Sequence, residues 1–226
     1  MPTEACTEQE FIGLWKRLGS GAAVSRELGV GLRNVMARRR KVEKKHGVQL
    51  GGDSCSVTSG ARAVLTLENA TVMVVSDAHY WPDHVTTAHK GFVKLCKELK
   101  PKIVVMNGDM GDLSTISRFP RIGWEHRPQV KKELETVQDR LDEIVKANKG
   151  AKFFWPLGNH DARFETRLAQ VAPEYEGVAG MTLKDHFPRW HPCWSVMINE
   201  NCIIKHRWHA GIHAVYNNTV KGGITV

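Results

Sequence analysis

Residues 102–112 read KIVVMNGDMGD, and this stretch decides the fold. Its first five residues form an apolar run of strand length, too short for a helix. Asn107-Gly108-Asp109 then ends the run, and Gly108 lets the backbone turn sharply. The same design recurs on both sides. Residues 71–76 lead into Asp77-Ala78-His79, residues 152–157 into Gly158-Asn159-His160-Asp161, and residues 202–205 into His206. Between these runs lie amphipathic segments. Residues 84–99 place Val85, Ala88, Phe92, Leu95 and Leu99 on one side of a helix that Pro101 stops. Residues 128–148 place Leu134, Val137, Leu141, Ile144 and Val145 on another. Short apolar runs alternating with amphipathic helices predict an α/β domain.

Smaller elements complete the reading. Residues 62–67 and 71–76 flank Glu68-Asn69-Ala70 and predict a β-hairpin. Residues 194–198 and 202–205 predict two strands around Asn199-Glu200-Asn201. Residues 210–220 predict a helix, and residues 224–226 open a further strand. Residues 47–61 (GVQLGGDSCSVTSGA) are rich in Gly and Ser and read as a linker. The domains are therefore 1–47, helical; 48–61, linker; and 62–226, α/β.

The chemistry stands at the strand ends. In an α/β sheet the strand C-termini share one edge, where ligands bind. Carboxylate, imidazole and amide oxygen donors together suit Mn, Fe, Zn or Ni, whereas Mg or Ca sites use oxygen almost alone. Two such ions can clamp the attacking and leaving oxygens of an in-line displacement. Each piece alone has an ordinary reading as well: Asp77 as a strand-end cap, Asn159 as a turn residue, Asp112 and Asp161 as helix N-caps, Arg163 as a solvated cation.

Taken in order, Asp77-Ala78-His79, Gly108-Asp109 with Asp112, and Gly158-Asn159-His160-Asp161 resemble the calcineurin-like metallophosphoesterases, over roughly residues 70–226. Residues 114–121 (STISRFPR) and 158–163 (GNHDAR) resemble a phage and prophage branch of them. The resemblance implies two β-sheets flanked by helices and a site with two divalent cations, Mn2+ first and Fe, Zn or Ni as alternatives. Asp77 and His79 would hold the first metal, Asp109 would bridge, and Asn159 and His206 would hold the second. A hydroxide made acidic by both cations would attack phosphorus. His160 would act as general acid or steady the leaving group. Asp112 and Asp161 would each orient an imidazole through its other nitrogen, and Arg163 would meet a substrate phosphate. The family also carries a GHxH motif, which these residues lack. The expectation is a chain truncated at its C-terminus and poorly active, or a variant that uses His209 or His213 instead.

The first 50 residues hold ten Lys/Arg against five Asp/Glu, much of the overall charge of +8. Phe11, Leu14, Trp15 and Leu18 have helical spacing, residues 22–28 form a second helix, Gly29-Val30 a turn, and residues 32–45 a third helix. This resembles a helix-turn-helix, with Arg38 at a position that is usually apolar. Arg33 and Asn34 lie where a recognition helix meets bases, and Arg38, Arg39, Arg40 and Lys41 lie where it meets phosphates. DNA is the implied partner, and a small docking module with a solvated basic helix is the competing reading.

No apolar run spans a bilayer, and the polar N-terminus is no secretory signal. The five cysteines form no CxxC and fit free thiols in the cytoplasm. The function expected is a phosphodiesterase or nuclease. The alternatives are a phosphomonoesterase, or a DNA-binding scaffold whose phosphoesterase domain is inactive.

Overall fold

The computed structural model describes residues 6–18, 21–48, 50, 54–58, 62–206, 213, 215–216 and 224–225. Four parallel strands form the central sheet: β3 (Val72–Val75), β4 (Ile103–Met106), β5 (Lys152–Pro156) and β6 (Trp190–Cys193), in that spatial order. Parallel strands in sequential order need crossovers of one hand, and this puts the connecting helices on one face. Helices α4 (Thr87–Leu99) and α5 (Val130–Ala147) occupy it.

The other face meets a second sheet, ordered β1 (Ser54–Thr58), β2 (Arg62–Thr66), β7 (Val196–Ile198), β8 (Cys202–Ile204) and β9 (Ile224–Thr225). Strand periodicity makes this layering possible. Along β4, Val104 and Met106 join the helix-side core, whereas Ile103 and Val105 join the core between the sheets. Along β5, Phe153 and Trp155 face the helices and Phe154 faces the second sheet. A strand covered on both sides must be apolar along its buried length, which accounts for IVVM (residues 103–106) and FFW (residues 153–155).

Two expectations are corrected, and one strand was missed. Residues 62–67 and 71–76 form no hairpin: β2 pairs with β1 and β7, while β3 pairs with β4 in the other sheet. The Glu68-Asn69-Ala70 segment carries the chain between sheets, and of the three only Asn69 has positive φ, where a two-residue hairpin turn of the commonest type needs two. The segment read as a linker contains β1, antiparallel to β2. Strand β6 went unread because it carries Pro192, which an edge strand tolerates. By contrast Asn199 and Glu200 both have positive φ, and they join β7 to β8 in a true hairpin.

At the N-terminus, α1 (Glu8–Leu18), α2 (Gly21–Leu28) and α3 (Leu32–His46) enclose Phe11, Trp15, Val24, Val35 and Val42. Arg39 is corrected as a nucleic-acid contact. It is buried, its guanidinium lies 5.2 Å from the Trp15 ring, and it pairs with Glu43 at 2.9 Å and Glu68 at 3.4 Å. Arg38 is corrected on similar grounds, since its guanidinium sits 5.0 Å over Phe11 and donates to the Cys6 carbonyl. The expected helix over 210–220 falls largely outside the described residues. No helix among the described residues is long and apolar enough to cross a membrane.

Candidate metal centre

The ends of β3, β4 and β5 lie side by side, and the loops beyond them stay paired. Asp77 N–H donates to the Gly108 carbonyl at 3.0 Å, and His79 N–H to the Asp109 carbonyl at 3.0 Å. Asp77, His79 and Asp109 all have positive φ, an unfavourable backbone for residues with a side chain. These loops are held in that shape by their neighbours. His206 arrives from β8, in the other sheet, so the site lies across both sheet edges.

Two clusters result. In the first, His206 Nε2 lies 3.3 Å from Asp109 Oδ2 and 4.0 Å from Asp77 Oδ1. His206 Nδ1 lies 2.7 Å from the Asn107 carbonyl, which only accepts, so the proton must sit on Nδ1. That leaves the Nε2 lone pair aimed at the two carboxylates, as a metal ligand requires. Ligand atoms each about 2.0–2.2 Å from one ion are separated by at most ~4.4 Å. His206 Nε2 lies within that limit of both carboxylates, at 3.3 and 4.0 Å, and all three ligand atoms lie within 4.8 Å of one another. Its chemistry also fits: two carboxyl groups and the Nε2 side of an imidazole, whose other nitrogen is engaged by a carbonyl, face one another.

The second cluster is His79, Asp112 and His160. Asp112 Oδ1 lies 2.7 Å from His79 Nδ1 and 3.1 Å from His160 Nδ1, although the second contact is poorly aligned for a hydrogen bond. The bond to the far nitrogen of His79 lets Asp112 orient that imidazole. His79 Nε2 is left facing Asp77 Oδ1 at 4.0 Å. His160 Nε2 lies 3.9 Å from Asp109 Oδ2.

Asp161 departs from expectation. It touches no imidazole. Its carboxylate is buried and accepts from the backbone N–H of Asp109, Met110 and Gly158 at 2.8, 3.0 and 2.8 Å and from the Trp155 indole at 3.1 Å. Burial pushes this carboxyl up, and the backbone donors pull it back. The residue braces the Asp109 loop against the Gly158 loop.

Arg163 also departs. It donates to the Asp112 carbonyl at 2.6 Å and reaches His160 Nε2 at 3.3 Å, so its fork is used within the protein. Asn159 is exposed beside His160. His213 is exposed, and His209 lies outside the described residues.

Two glycines are fixed by close approach. A Cβ on Gly158 would stand 2.0 Å from Asp109 Oδ1, and one on Gly108 would stand 2.3 Å from the His206 ring, at φ +78. Gly108→Ala should therefore displace His206. The expected result is at least a tenfold weaker response to added metal in a thermal-shift titration. An unchanged titration would show that His206 does not need this contact.

Sequence reading missed Glu133. It lies fully buried on α5, accepts from Ser114 N–H at 3.3 Å, and has no partner for Oε2. Burial pushes its carboxyl up to about 7; nearby Asp112 adds to this and Arg163 opposes it. The folded value lies above the unfolded one, so stability is full below about pH 4.5 and falls as pH rises through about 7. Glu133→Gln should remove that slope, a relative gain of up to about 3 kcal/mol at pH 8. Urea titrations at pH 5 and 8 check this, and equal slopes in both proteins would refute it. The signal available in the sequence was an acid four residues before Val137, at helical spacing along the apolar stripe.

Similarity to known proteins agrees with this geometry. No curated protein sequence matches the chain significantly. The family model of the calcineurin-like phosphoesterases matches residues 70–217, a span that begins just before β3 and takes in both clusters. The chain thus belongs to the calcineurin-like phosphoesterases, a family that hydrolyses phosphate esters with divalent metal ions.

Proposed function

We propose that the protein is a phosphodiesterase acting on nucleic acid. The observation that carries the catalytic part is the Asp77, Asp109 and His206 group, whose imidazole lone pair and carboxylates converge within the reach of one ion. In this reading Asp77, His79, Asp109, Asn159 and His206 hold two divalent cations. The mixed donors favour Mn2+, with Fe, Zn or Ni as alternatives. When bound, such ions polarise a phosphoryl oxygen and stabilise the charge that develops around phosphorus.

The chain's own residues do the rest. Asp112 fixes the ring of His79 and faces that of His160. His160 stands over Asp109; Arg163, which can only donate, meets its Nε2 at 3.3 Å, so that contact must give way for a protonated Nε2 to steady or protonate a leaving oxygen. Asp161 keeps the Asp109 and Gly158 loops in register.

The nucleic-acid part rests on α3. Arg33, Arg40, Lys41 and Lys44 are exposed and fall within one sector of about 100° around the helix. Asn34 is exposed in its first turn. Such a stripe favours a polyanion. Arg40 is tied weakly to Glu68 at 4.0 Å.

The test uses the whole chain with Mn2+ on a chromogenic phosphodiester, a monoester, and single- and double-stranded DNA, beside His160→Ala. Turnover of the diester and of DNA, lowered about 100-fold in the variant, is the expected result. Turnover of the monoester alone would replace this reading with a phosphomonoesterase. No turnover of any ester would favour a DNA-binding scaffold.

A further inference from the structure

Beside the metal centre lies an open groove of about 890 Å3, near the upper end of the range for ligand sites. Its residues include Arg118, Phe119, Asn159, Arg167, Trp194 and Lys205. Arg163 adds a fourth cation to its wall, and no carboxylate lines it among the described residues. A basic groove so close to carboxylates that bind cations is suited to an anion longer than one phosphate.

The groove also presents aromatic surface. Trp194 is 51% exposed and Phe119 59% exposed, both large side chains left uncovered at its walls. The Arg118 guanidinium stands 5.1 Å over the Phe119 ring. The loop that carries them is built rather than loose. Arg127, largely buried, donates to the carbonyls of Ser114, Phe119 and Pro120 and pairs with Glu125. Cations that track a phosphate backbone, interleaved with exposed rings on which bases stack, are the chemistry of a site for unpaired strands. A duplex hides its base faces and cannot use Trp194 or Phe119 in this way.

We infer that this groove binds single-stranded nucleic acid and leads the strand past Asn159 to the metal centre. The inference rests on the phosphodiesterase reading for the final step, but binding in the groove is separable from it. Arg118 and Arg167 have no ion-pair partner among the described residues, so their charge is available to phosphates. Trp194 supplies a stacking face.

The experiment measures fluorescence anisotropy of a labelled homopolymeric single strand with the whole chain, in EDTA so that nothing is cleaved. Trp194→Ala should weaken binding about tenfold, the loss of one stacked base, and Trp194→Phe should restore most of it. Arg118→Ala with Arg167→Ala should lower the slope of log K against log salt by about one to one and a half. With Mn2+, the same variants should lose at least tenfold in the ratio of kcat/KM for the oligonucleotide to that for the small chromogenic diester. Unchanged single-strand binding by all groove variants, or equal losses by them on a duplex of the same length, overturns the inference. Groove-dependent binding without turnover of any ester would uphold the groove and overturn the phosphodiesterase reading alone.

Discussion

Asp109→Asn should lower kcat/KM on a chromogenic phosphodiester by at least about 1,000-fold, a loss of roughly 4 kcal/mol in transition-state stabilisation. Asp109 is 4% exposed and stands at the centre of the site, with Oδ1 accepting from His160 N–H at 2.9 Å and Oδ2 3.3 Å from His206 Nε2. The amide keeps the size and can keep the His160 contact. It loses the charge that two cations would share, and its NH2 can donate to His206 Nε2, occupying the lone pair meant for metal. Metal content per chain after desalting should fall together with the activity. A variant retaining more than a tenth of the wild-type rate would show that Asp109 is no shared ligand. Because the amide keeps the size and the His160 contact, the metal-free variant should be about as stable as metal-free wild type. That outcome separates a ligand from a structural residue.

Asp161→Ala should behave in the opposite way, with stability failing first. The substitution leaves three backbone N–H groups and the Trp155 indole without their acceptor, in a place water does not reach. Each orphaned buried donor costs about 1–3 kcal/mol. Even with relaxation the loss should be about 3–5 kcal/mol, or a drop of roughly 10 °C in Tm. Differential scanning calorimetry of the metal-free proteins checks this, and a shift below 3 °C would deny the brace. Asp161→Asn should fall between, since its amide oxygen accepts while its NH2 faces a donor. Any activity lost by this variant should return in part at lower temperature, because the ligands themselves are intact.

Much of the site was legible in the sequence because chemistry and topology coincide in a parallel sheet. An apolar run of four or five residues followed at once by Asp, His or Asn puts a ligand at a strand end. Asp77, His79, Asp109 and His160 could therefore be picked out before any coordinate was known. The orienting role of Asp112 came from the family resemblance, and its Oδ1 lies 2.7 Å from His79 Nδ1. Roles that depend on direction were not. Asp161 follows His160 directly, yet its side chain turns inward to the backbone, and Arg163 turns to Asp112 and His160. Nothing in GNHDAR states which way each residue points.

Local sequence by itself determined the elements covered on both faces and the residue types at their ends, because burial on two sides and metal chemistry leave few alternatives. Long-range contact decided everything with two local solutions. Glu68-Asn69-Ala70 could close a hairpin or change sheets, and the pairing of β2 with β7 chose the second. Arg39 could meet solvent or fold inward, and Trp15, Glu43 and Glu68 held it inside. His206 could have belonged to a distant sheet edge. Packing of the two sheets through Val105, Phe154 and Ile204 brought it to Asp109, since only that shared core fixes where the end of β8 falls.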